Sequence, residues 1–198
     1  MIQERLKELR AQMQERGIDI YIVPTSDFHQ SEYVGEYFKA RKYMTGFTGS
    51  AGTAVITKEE AGLWTDGRYF IQAEKQLEGS TVKLFKMGEE GVPKVEEYVK
   101  DHLTEGSCIG FDGRVMDAKS GEKYAKMAEE KKAALYVKED LVGNIWKDRP
   151  QLPANKVWIL EDAYAGRSMA DKIADVRIQM QKEGADIHIL SSLYDIAW

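Results

Sequence analysis

Residues 27–33 contain three residue types that could bind a metal, Asp27, His29 and Glu32, directly after an apolar stretch. His29 and Glu32 are three residues apart and would share one face of a helix, as two ligands of a metal half-site do. A catalytic metal generally needs at least three protein ligands, and no further histidine lies in an obvious partner position. We therefore interpret the three side chains as residues that order a hydrogen-bonded loop, and we predict no metal site in this chain.

A glycine-rich segment, Gly46–Thr53, could be taken for a loop that holds a phosphate group. No Gly-Lys-Ser/Thr sequence follows it, and residues 53–57 have the composition of a strand, whereas both phosphate-binding fingerprints need a helix there. Ser50 also lacks the Gly-x-Ser-x-Gly context of a serine nucleophile and any convincing histidine and acid partners. We interpret the glycines as residues of a tight turn with close backbone packing, and we reject a serine hydrolase.

Arg68 is the residue that we single out for ligand binding, within the segment Trp64–Phe70. Asp66 precedes it and is predicted to be the N-cap of a helix that begins at Arg68. An arginine in the first turn gains nothing from the helix dipole, so its position indicates an acidic partner. Residue chemistry alone favours a carboxylate of the chain itself as that partner, and the alternative is an acidic group of a ligand.

The elements that must position these residues alternate along the sequence. Apolar periodicity, glycine caps and proline positions predict helices over residues 2–16, 68–77, 93–103 and 118–132. Runs of β-branched and aromatic residues predict strands over residues 18–23, 53–57, 62–65, 81–85, 108–111 and 134–137. Interleaved helices and strands of this kind favour an α/β fold in which helices cover both sides of a mixed sheet.

The segment Lys147–Asn155 holds two of the four prolines among polar residues and has the character of a linker, so we predict a first domain over residues 1–155. After it, residues 171–190 repeat residues 4–23 with eight identities and no gap, at a constant offset of 167 residues. We interpret residues 156–198 as the incomplete start, a helix and then a strand, of a second domain of similar fold. The alternative is chance, because amphipathic helices followed by apolar strands are common.

The overall composition limits the class of protein. Of the 198 residues, 43% are apolar and 31% are charged, which is ordinary for a folded globular chain. The net charge is −5 and the basic residues form no stripe, so we predict no nucleic-acid partner. Cys108 is the only cysteine, which excludes an internal disulfide and fits a reducing compartment. No signal-like segment and no run of 18 apolar residues is present, so we predict a cytoplasmic protein without a membrane partner.

Five segments, taken in order, resemble the Xaa-Pro aminopeptidases, also called aminopeptidase P, in their three-domain form. They span nearly the whole chain and are Tyr21–Tyr33, Gly46–Ile56, Trp64–Phe70, Asn144–Pro150 and Tyr194–Trp198. The resemblance implies a first domain of the creatinase/prolidase N-terminal type, with a ribonuclease H-like mixed sheet, followed by a second domain of similar fold. It also implies a third, pita-bread domain that lies outside this sequence.

In that family two divalent metal ions, commonly manganese, activate the water that attacks the peptide bond before proline. Their ligands are two aspartates, a histidine and two glutamates of the third domain, and none can be assigned to a residue here. The resemblance therefore implies a non-catalytic N-terminal region that shapes substrate access and contributes to a homodimer. The substrates would be peptides with proline at the second position. The arginine similar to Arg68 is expected near the substrate pocket, so Arg68 is our one predicted substrate-binding residue; we predict no catalytic or metal-binding residue.

Two other interpretations remain open. One is a two-domain relative, such as a proline dipeptidase or a creatinase, in which the catalytic domain directly follows the first domain; the repeat at residues 171–190 argues against it. The other is a non-enzymatic module that binds peptides or proteins, because a fold does not fix a function. Sequence beyond Trp198 would distinguish them, since the five metal ligands favour the enzyme.

Overall fold

Helices and strands follow one another through most of the chain, whose structure, a computed structural model, describes residues 1–198. The α-helices are α1 (Ile2–Glu15), α2 (Ala40–Thr45), α3 (Phe70–Leu77), α4 (Val95–His102), α5 (Ala118–Glu130), α6 (Leu141–Ile145), α7 (Asp162–Ala165), α8 (Met169–Glu183) and α9 (Leu193–Ala197). The strands are β1 (Ile20–Pro24), β2 (Thr53–Thr57), β3 (Ala61–Thr65), β4 (Val82–Lys86), β5 (Cys108–Phe111) and β6 (Ala134–Tyr136). A short 3₁₀ helix, Glu36–Phe38, precedes α2. The chain divides into two compact units, Met1–Leu152 and Pro153–Trp198.

All six strands belong to one mixed sheet in the first unit, in the order β4-β3-β2-β1-β5-β6. The neighbours β1–β2 and β2–β3 are antiparallel, whereas β1–β5, β3–β4 and β5–β6 are parallel. The connections from β3 to β4 and from β5 to β6 each contain a helix, as the crossover between parallel neighbours requires. The predicted α/β fold, a mixed sheet flanked by helices, is therefore confirmed.

The first unit has one apolar core on each face of this sheet, because successive side chains of a strand point to opposite faces. On one face Tyr21 of β1 shares a core with Leu9 of α1. On the other face Ile22 shares a core with Val99 of α4 and Tyr124 of α5. Full burial of an aliphatic or aromatic side chain of this size stabilises the fold by about 1.5–3 kcal/mol. The central strand β1 thus holds both layers of helices.

The turn after β3 differs from the prediction. Helix α3 begins at Phe70, with Tyr69 as its N-cap, so the prediction that Asp66 caps a helix beginning at Arg68 is wrong. Asp66 instead stabilises the turn before the helix. Its Oδ1 accepts a hydrogen bond from the N–H of Arg68 at 3.1 Å, and its carbonyl oxygen accepts one from the N–H of Tyr69 at 3.0 Å. These hydrogen bonds hold residues 66–69 in a turn, so the helix begins at Phe70 and not at Arg68.

Other boundaries were predicted less accurately than the sheet. Strand β1 begins at Ile20, two residues later than expected, and α4 begins at Val95 with Lys94 as N-cap, so Pro93 precedes the helix. Helices α2, α6 and α7 were not predicted at all. They contain only four to six residues, which is too short to show the 3.6-residue apolar period on which the prediction depends.

The second unit contains the predicted helix but not the predicted strand. Helix α8 begins after Ser168, whose Oγ accepts a hydrogen bond from the N–H of Asp171 at 3.2 Å, and ends at Gly184, which has φ of +66°. The prediction that a strand follows this helix is wrong for this chain, because residues 186–190 join no sheet. A strand needs a neighbour to bond its backbone, and this unit contains no other strand.

Candidate ligand-binding pocket

A pocket of about 220 Å³ lies in the first unit, where the glycine-rich loop meets the segment that follows β1. Its polar wall includes Glu32, Arg41, Lys42 and Ser50, and its apolar wall includes Phe38. The chain brings them together because β1 and β2 are neighbours in the sheet, so the loops at the same end of these strands meet. The pocket thus unites two segments that the sequence had singled out separately.

Arg41, on α2, is the buried cation of this pocket and is only 4% exposed. Its Nε donates to Thr25 Oγ1 at 2.9 Å, its Nη1 to the carbonyl oxygen of Phe47 at 2.6 Å, and its Nη2 to the carbonyl oxygen of Gly49. All three acceptors are neutral. Burial lowers the pKa of Arg41 to about 10, and the opposing effect of Tyr69 does not outweigh it. None of the ion pairs of the first unit includes Arg41.

The shape of the glycine-rich loop depends on at least two of its three glycines. Gly46 ends α2 with φ of +78°, a conformation that other residues rarely adopt. A Cβ atom on Gly49 would lie 2.2 Å from the ring of Phe47, so any other residue there would displace the ring. The loop leads into β2, as the composition of residues 53–57 predicted. The loop is thus a tight connection that presents the carbonyl oxygens of Phe47 and Gly49 to Arg41 and places Ser50 in the pocket wall.

The segment that follows β1 is ordered by Asp27, as the sequence predicted for this residue. Its Oδ1 accepts hydrogen bonds from the backbone N–H groups of His29 and Ser31, both at 2.9 Å. Burial acts to raise the pKa of Asp27, but these hydrogen bonds outweigh it and the pKa is lowered. The segment forms no helix, so His29 and Glu32 do not share a helical face. Both side chains are exposed, and only Glu32 lines the pocket.

Arg68 lies in the turn between β3 and α3 and is not part of the pocket wall. Its Nε and Nη2 donate to the two carboxylate oxygens of Asp66, both at 2.8 Å, so the internal salt bridge that residue chemistry favoured is present. The hydrogen bond between the two side chains lowers the pKa of Asp66 and raises the pKa of Arg68. The side chain of Arg68 is still 69% exposed. Its neighbour Tyr69 contacts a residue of the pocket wall, because its hydroxyl lies 2.7 Å from Ser50 Oγ.

A second Asp-Gly-Arg turn, Asp112–Arg114, follows β5 and was not predicted. It has the same geometry as the turn at Arg68. Arg114 donates its backbone N–H and its Nε to Asp112 Oδ1, both at 3.0 Å, and its Nη2 to Oδ2 at 2.9 Å. The Arg114 side chain also lies 3.5 Å from Asp140. The sequence signal that could have found this turn is the repeated Asp-Gly-Arg tripeptide at the end of a strand.

Arg41 is the functional candidate that the sequence did not indicate. It stands between other basic residues, Lys39 and Lys42, and nothing in the local pattern distinguishes it from them. Its burial results from contacts with Thr25 and with the glycine-rich loop, which only the folded sheet brings near it. No group of three or more His, Cys, Asp and Glu side chains is placed to hold a metal ion. None of the helices combines the length and apolar character needed to cross a membrane.

Comparison with known proteins gives two family matches along this chain. A family model described as the Creatinase/Prolidase N-terminal domain matches residues 5–139. A second family model with the same description matches residues 148–198. The two matches together cover both compact units.

Similar proteins are much longer than this chain. Aminopeptidase P2 of Arabidopsis thaliana is 41% identical over 203 residues, covering 100% of this chain and 28% of its own length. The "Probable Xaa-Pro aminopeptidase P" of Pyrenophora teres f. teres is 44% identical over 199 residues, covering 98% of this chain and 30% of its own length. This chain therefore spans about 30% of the length of these relatives.

Two solved structures that are similar to this chain are also much longer than it. The X-prolyl aminopeptidase from Caenorhabditis elegans, described as a cytosolic enzyme with a di-nuclear active site, superposes with a TM-score of 0.86 at 32% identity. The superposition covers 100% of this chain and 34% of the nematode enzyme. The Xaa-Pro dipeptidase from Bacillus anthracis superposes with a TM-score of 0.52 at 23% identity. The superposition covers 73% of this chain and 36% of the dipeptidase, and at this identity it shows a shared fold alone.

Proposed function

The chain belongs to the creatinase/prolidase N-terminal domain family, and on that basis we propose that it is the non-catalytic N-terminal region of a metal-dependent Xaa-Pro aminopeptidase. Such an enzyme removes the N-terminal residue of peptides whose second residue is proline. The observation that supports the proposal most strongly is 41% identity to Aminopeptidase P2 along the whole chain. The TM-score of 0.86 to the X-prolyl aminopeptidase supports it from structure.

In this proposal residues 1–155 form the first domain and residues 156–198 begin a second domain of similar fold. The eight identities between residues 4–23 and 171–190 support the second domain, and so does the family match to residues 148–198. The same match favours the three-domain form over a two-domain dipeptidase, in which the catalytic domain would directly follow the first. The pita-bread catalytic domain would correspond to the remaining length of the relatives.

The parent enzyme would use two divalent metal ions, for which manganese is our proposal, to activate water at neutral pH. The residues of this chain do not fit such a centre, because no three candidate ligands lie together. The ligands would be residues of the catalytic domain. The role left to this chain is to shape the access of peptides to that domain and to contribute contacts to a cytoplasmic homodimer.

A peptidase assay of this chain and of its full-length parent, both with added manganese, tests the proposal. We expect release of the residue before proline by the parent and no release by this chain alone. A matched substrate with alanine in place of proline should be a poor substrate for the parent. Hydrolysis by the isolated chain would contradict a non-catalytic role, and an inactive parent would favour a binding module.

Within this function we propose that Arg68 helps to orient the peptide substrate. Its side chain is 69% exposed and forms an ion pair with Asp66 alone, so it remains accessible to an acidic group. Arg68→Ala in the parent should lower kcat/KM by roughly 10- to 100-fold, the loss of one charged hydrogen bond, without changing Tm. Arg114→Ala is the matched control, because Arg114 has the same turn geometry. Equal kinetic effects of the two substitutions would reject the role of Arg68.

A further inference from the structure

The pocket beside Arg41 has more positive than negative charge. Three cationic side chains line it, Lys39, Arg41 and Lys42, against one carboxylate, Glu32. Outside the wall, Glu36 forms an ion pair with Lys39 and lies 3.8 Å from Lys42. Both lysines thus lie close to Glu36, whereas Arg41 forms no ion pair with a carboxylate. A buried charge is normally paired, because taking it out of water is costly.

Arg41 fastens the glycine-rich loop by its hydrogen bonds and by its position over the Phe47 ring, 4.7 Å from Cζ to the ring centroid, but neither contact supplies a negative charge. Three hydrogen bonds to neutral acceptors use three of its five N–H groups. The planar guanidinium matches the geometry of an oxyanion such as a carboxylate. Ser50 lines the same pocket, and its hydroxyl can donate its proton to a ligand when Tyr69 is the donor in the pair of hydroxyls that these two residues form.

The size and the apolar wall of the pocket favour a small organic ligand. Its volume of about 220 Å³ is several times the share of one water molecule, about 30 Å³, but below that of most drug-sized sites. Tyr33, Val34 and Phe38 supply an apolar wall that a hydrocarbon group would contact. We propose that this pocket binds a small organic carboxylate, with its charge on Arg41 and Lys42 and its hydrocarbon part on the apolar wall.

The test is an NMR titration of this chain with sodium propionate at constant ionic strength, with propionamide as the uncharged analogue. We expect saturable binding in roughly the millimolar range, with shifts at the amides of residues 41 and 48–50. Propionamide should bind at least about tenfold more weakly, since it lacks the charge that a guanidinium recognises. Equal binding of the two compounds, or equally tight binding of inorganic phosphate, would overturn a carboxylate site.

Three variants assign the binding to this pocket. Lys42→Met, an exposed change that leaves the core intact, should weaken propionate binding severalfold. Glu32→Gln should tighten it roughly threefold, because it removes the one carboxylate of the wall. Arg41→Lys should abolish it, and Arg10→Lys is the control, because Arg10 also donates to a backbone carbonyl, that of Thr57 at 2.9 Å, but lies outside the pocket.

The outcomes distinguish a loss of binding from a loss of folding, and they do not depend on the proposed peptidase function. If Arg41→Lys unfolds the chain, Lys42→Met and Glu32→Gln still decide, and unchanged affinity in both would overturn the proposal. Ala-Ala-Ala with a free C-terminus, compared with its C-terminal amide, identifies the source of the carboxylate. Preference for the free acid supports a peptide end as ligand, and binding of propionate alone supports a free acid. None of these measurements depends on peptidase activity of the parent.

Discussion

The two repeats of this chain, residues 4–23 and 171–190, end their helices in the same way and then diverge. Gly17 and Gly184 follow helices of similar length and have φ of +65° and +66°. Beyond them, Ile22 is 1% exposed inside the sheet, whereas Ile189 at the equivalent position is 82% exposed. This difference indicates that the helix and its end are encoded by local sequence, while the strand depends on other strands that are distant in sequence.

The first repeat has long-range partners that explain its strand. β1 lies between β2 and β5 and pairs with both. Just before it, Asp19 donates its backbone N–H to the carbonyl oxygen of Cys108 at 2.8 Å, and its Oδ2 accepts the N–H of Cys108 at 2.7 Å. Asp186 occupies the equivalent position in the second repeat and is exposed. The same residue types therefore form a strand only where neighbouring strands can pair with them.

Hydrogen exchange should show the largest difference between the repeats. The amides of β1 should exchange only when the first unit unfolds, which typically costs about 5–15 kcal/mol. The amides of residues 186–190 belong to no sheet and should exchange at close to the intrinsic rate. Exchange of this chain followed by mass spectrometry measures both. Comparable protection of the two segments would remove the distinction.

The same exchange measurement on the full-length parent sharpens the comparison. If the parent completes a second domain, residues 186–190 gain strand neighbours and their exchange should slow by orders of magnitude relative to this chain. The protection of β1 should change little, which provides the internal control. Fast exchange of residues 186–190 in the parent as well would contradict the proposed second domain.

Substitution of equivalent isoleucines should give the next largest effect. Ile22→Ala removes buried methyl groups from a packed core and should lower the free energy of unfolding by about 2–5 kcal/mol. Ile189→Ala, the matched control, should change it by less than about 0.5 kcal/mol in this chain, because the side chain is exposed. Urea unfolding followed by circular dichroism measures both variants. A loss above 1 kcal/mol for Ile189→Ala would place that residue in a core.

The sequence predicted the sheet because its strands are dense in β-branched and aromatic residues. Strands β2 and β5 have the predicted bounds, residues 53–57 and 108–111. The spatial order of the strands and the short helices α2 and α6 could not be predicted, because they depend on tertiary packing. The second repeat shows that sequence pattern alone does not decide, since residues 186–190 have the composition of a strand but form none.

The candidate site was predictable only where it depends on neighbours in sequence. The hydrogen bonds of Asp27 and the pairing of Asp66 with Arg68 stay within five residues, so residue types and spacing indicated them. The burial of Arg41 depends on Thr25, which is 16 residues away, and on a loop folded against it. The pocket lies between loops that are separate in sequence, so no single segment of the sequence indicates it.

The smallest predicted effect concerns the residue just before the glycine that follows the helix of each repeat. Arg16 donates from Nε to Glu139 Oε2 at 2.8 Å, tying α1 to the segment before α6, whereas the equivalent residue of the second repeat is Glu183. The hydroxyl of Tyr136 and then Arg16 lower the pKa of Glu139 below its ordinary value of 4.5. A carboxylate with a lowered pKa in the folded state contributes stability that is present above the unfolded-state pKa and lost as pH falls through the folded-state pKa.

Glu139→Gln should therefore be slightly less stable than the unsubstituted chain at pH 7, and the two should converge as pH falls below about 4.5 toward pH 3. Glu183→Gln, the control in the second repeat, should show no such pH dependence, because Glu183 has no equivalent tether. Urea unfolding of the three proteins across this range measures the difference. A difference for Glu139→Gln that persists unchanged at pH 3 would show that the charge of the carboxylate does not hold the contact between Arg16 and Glu139.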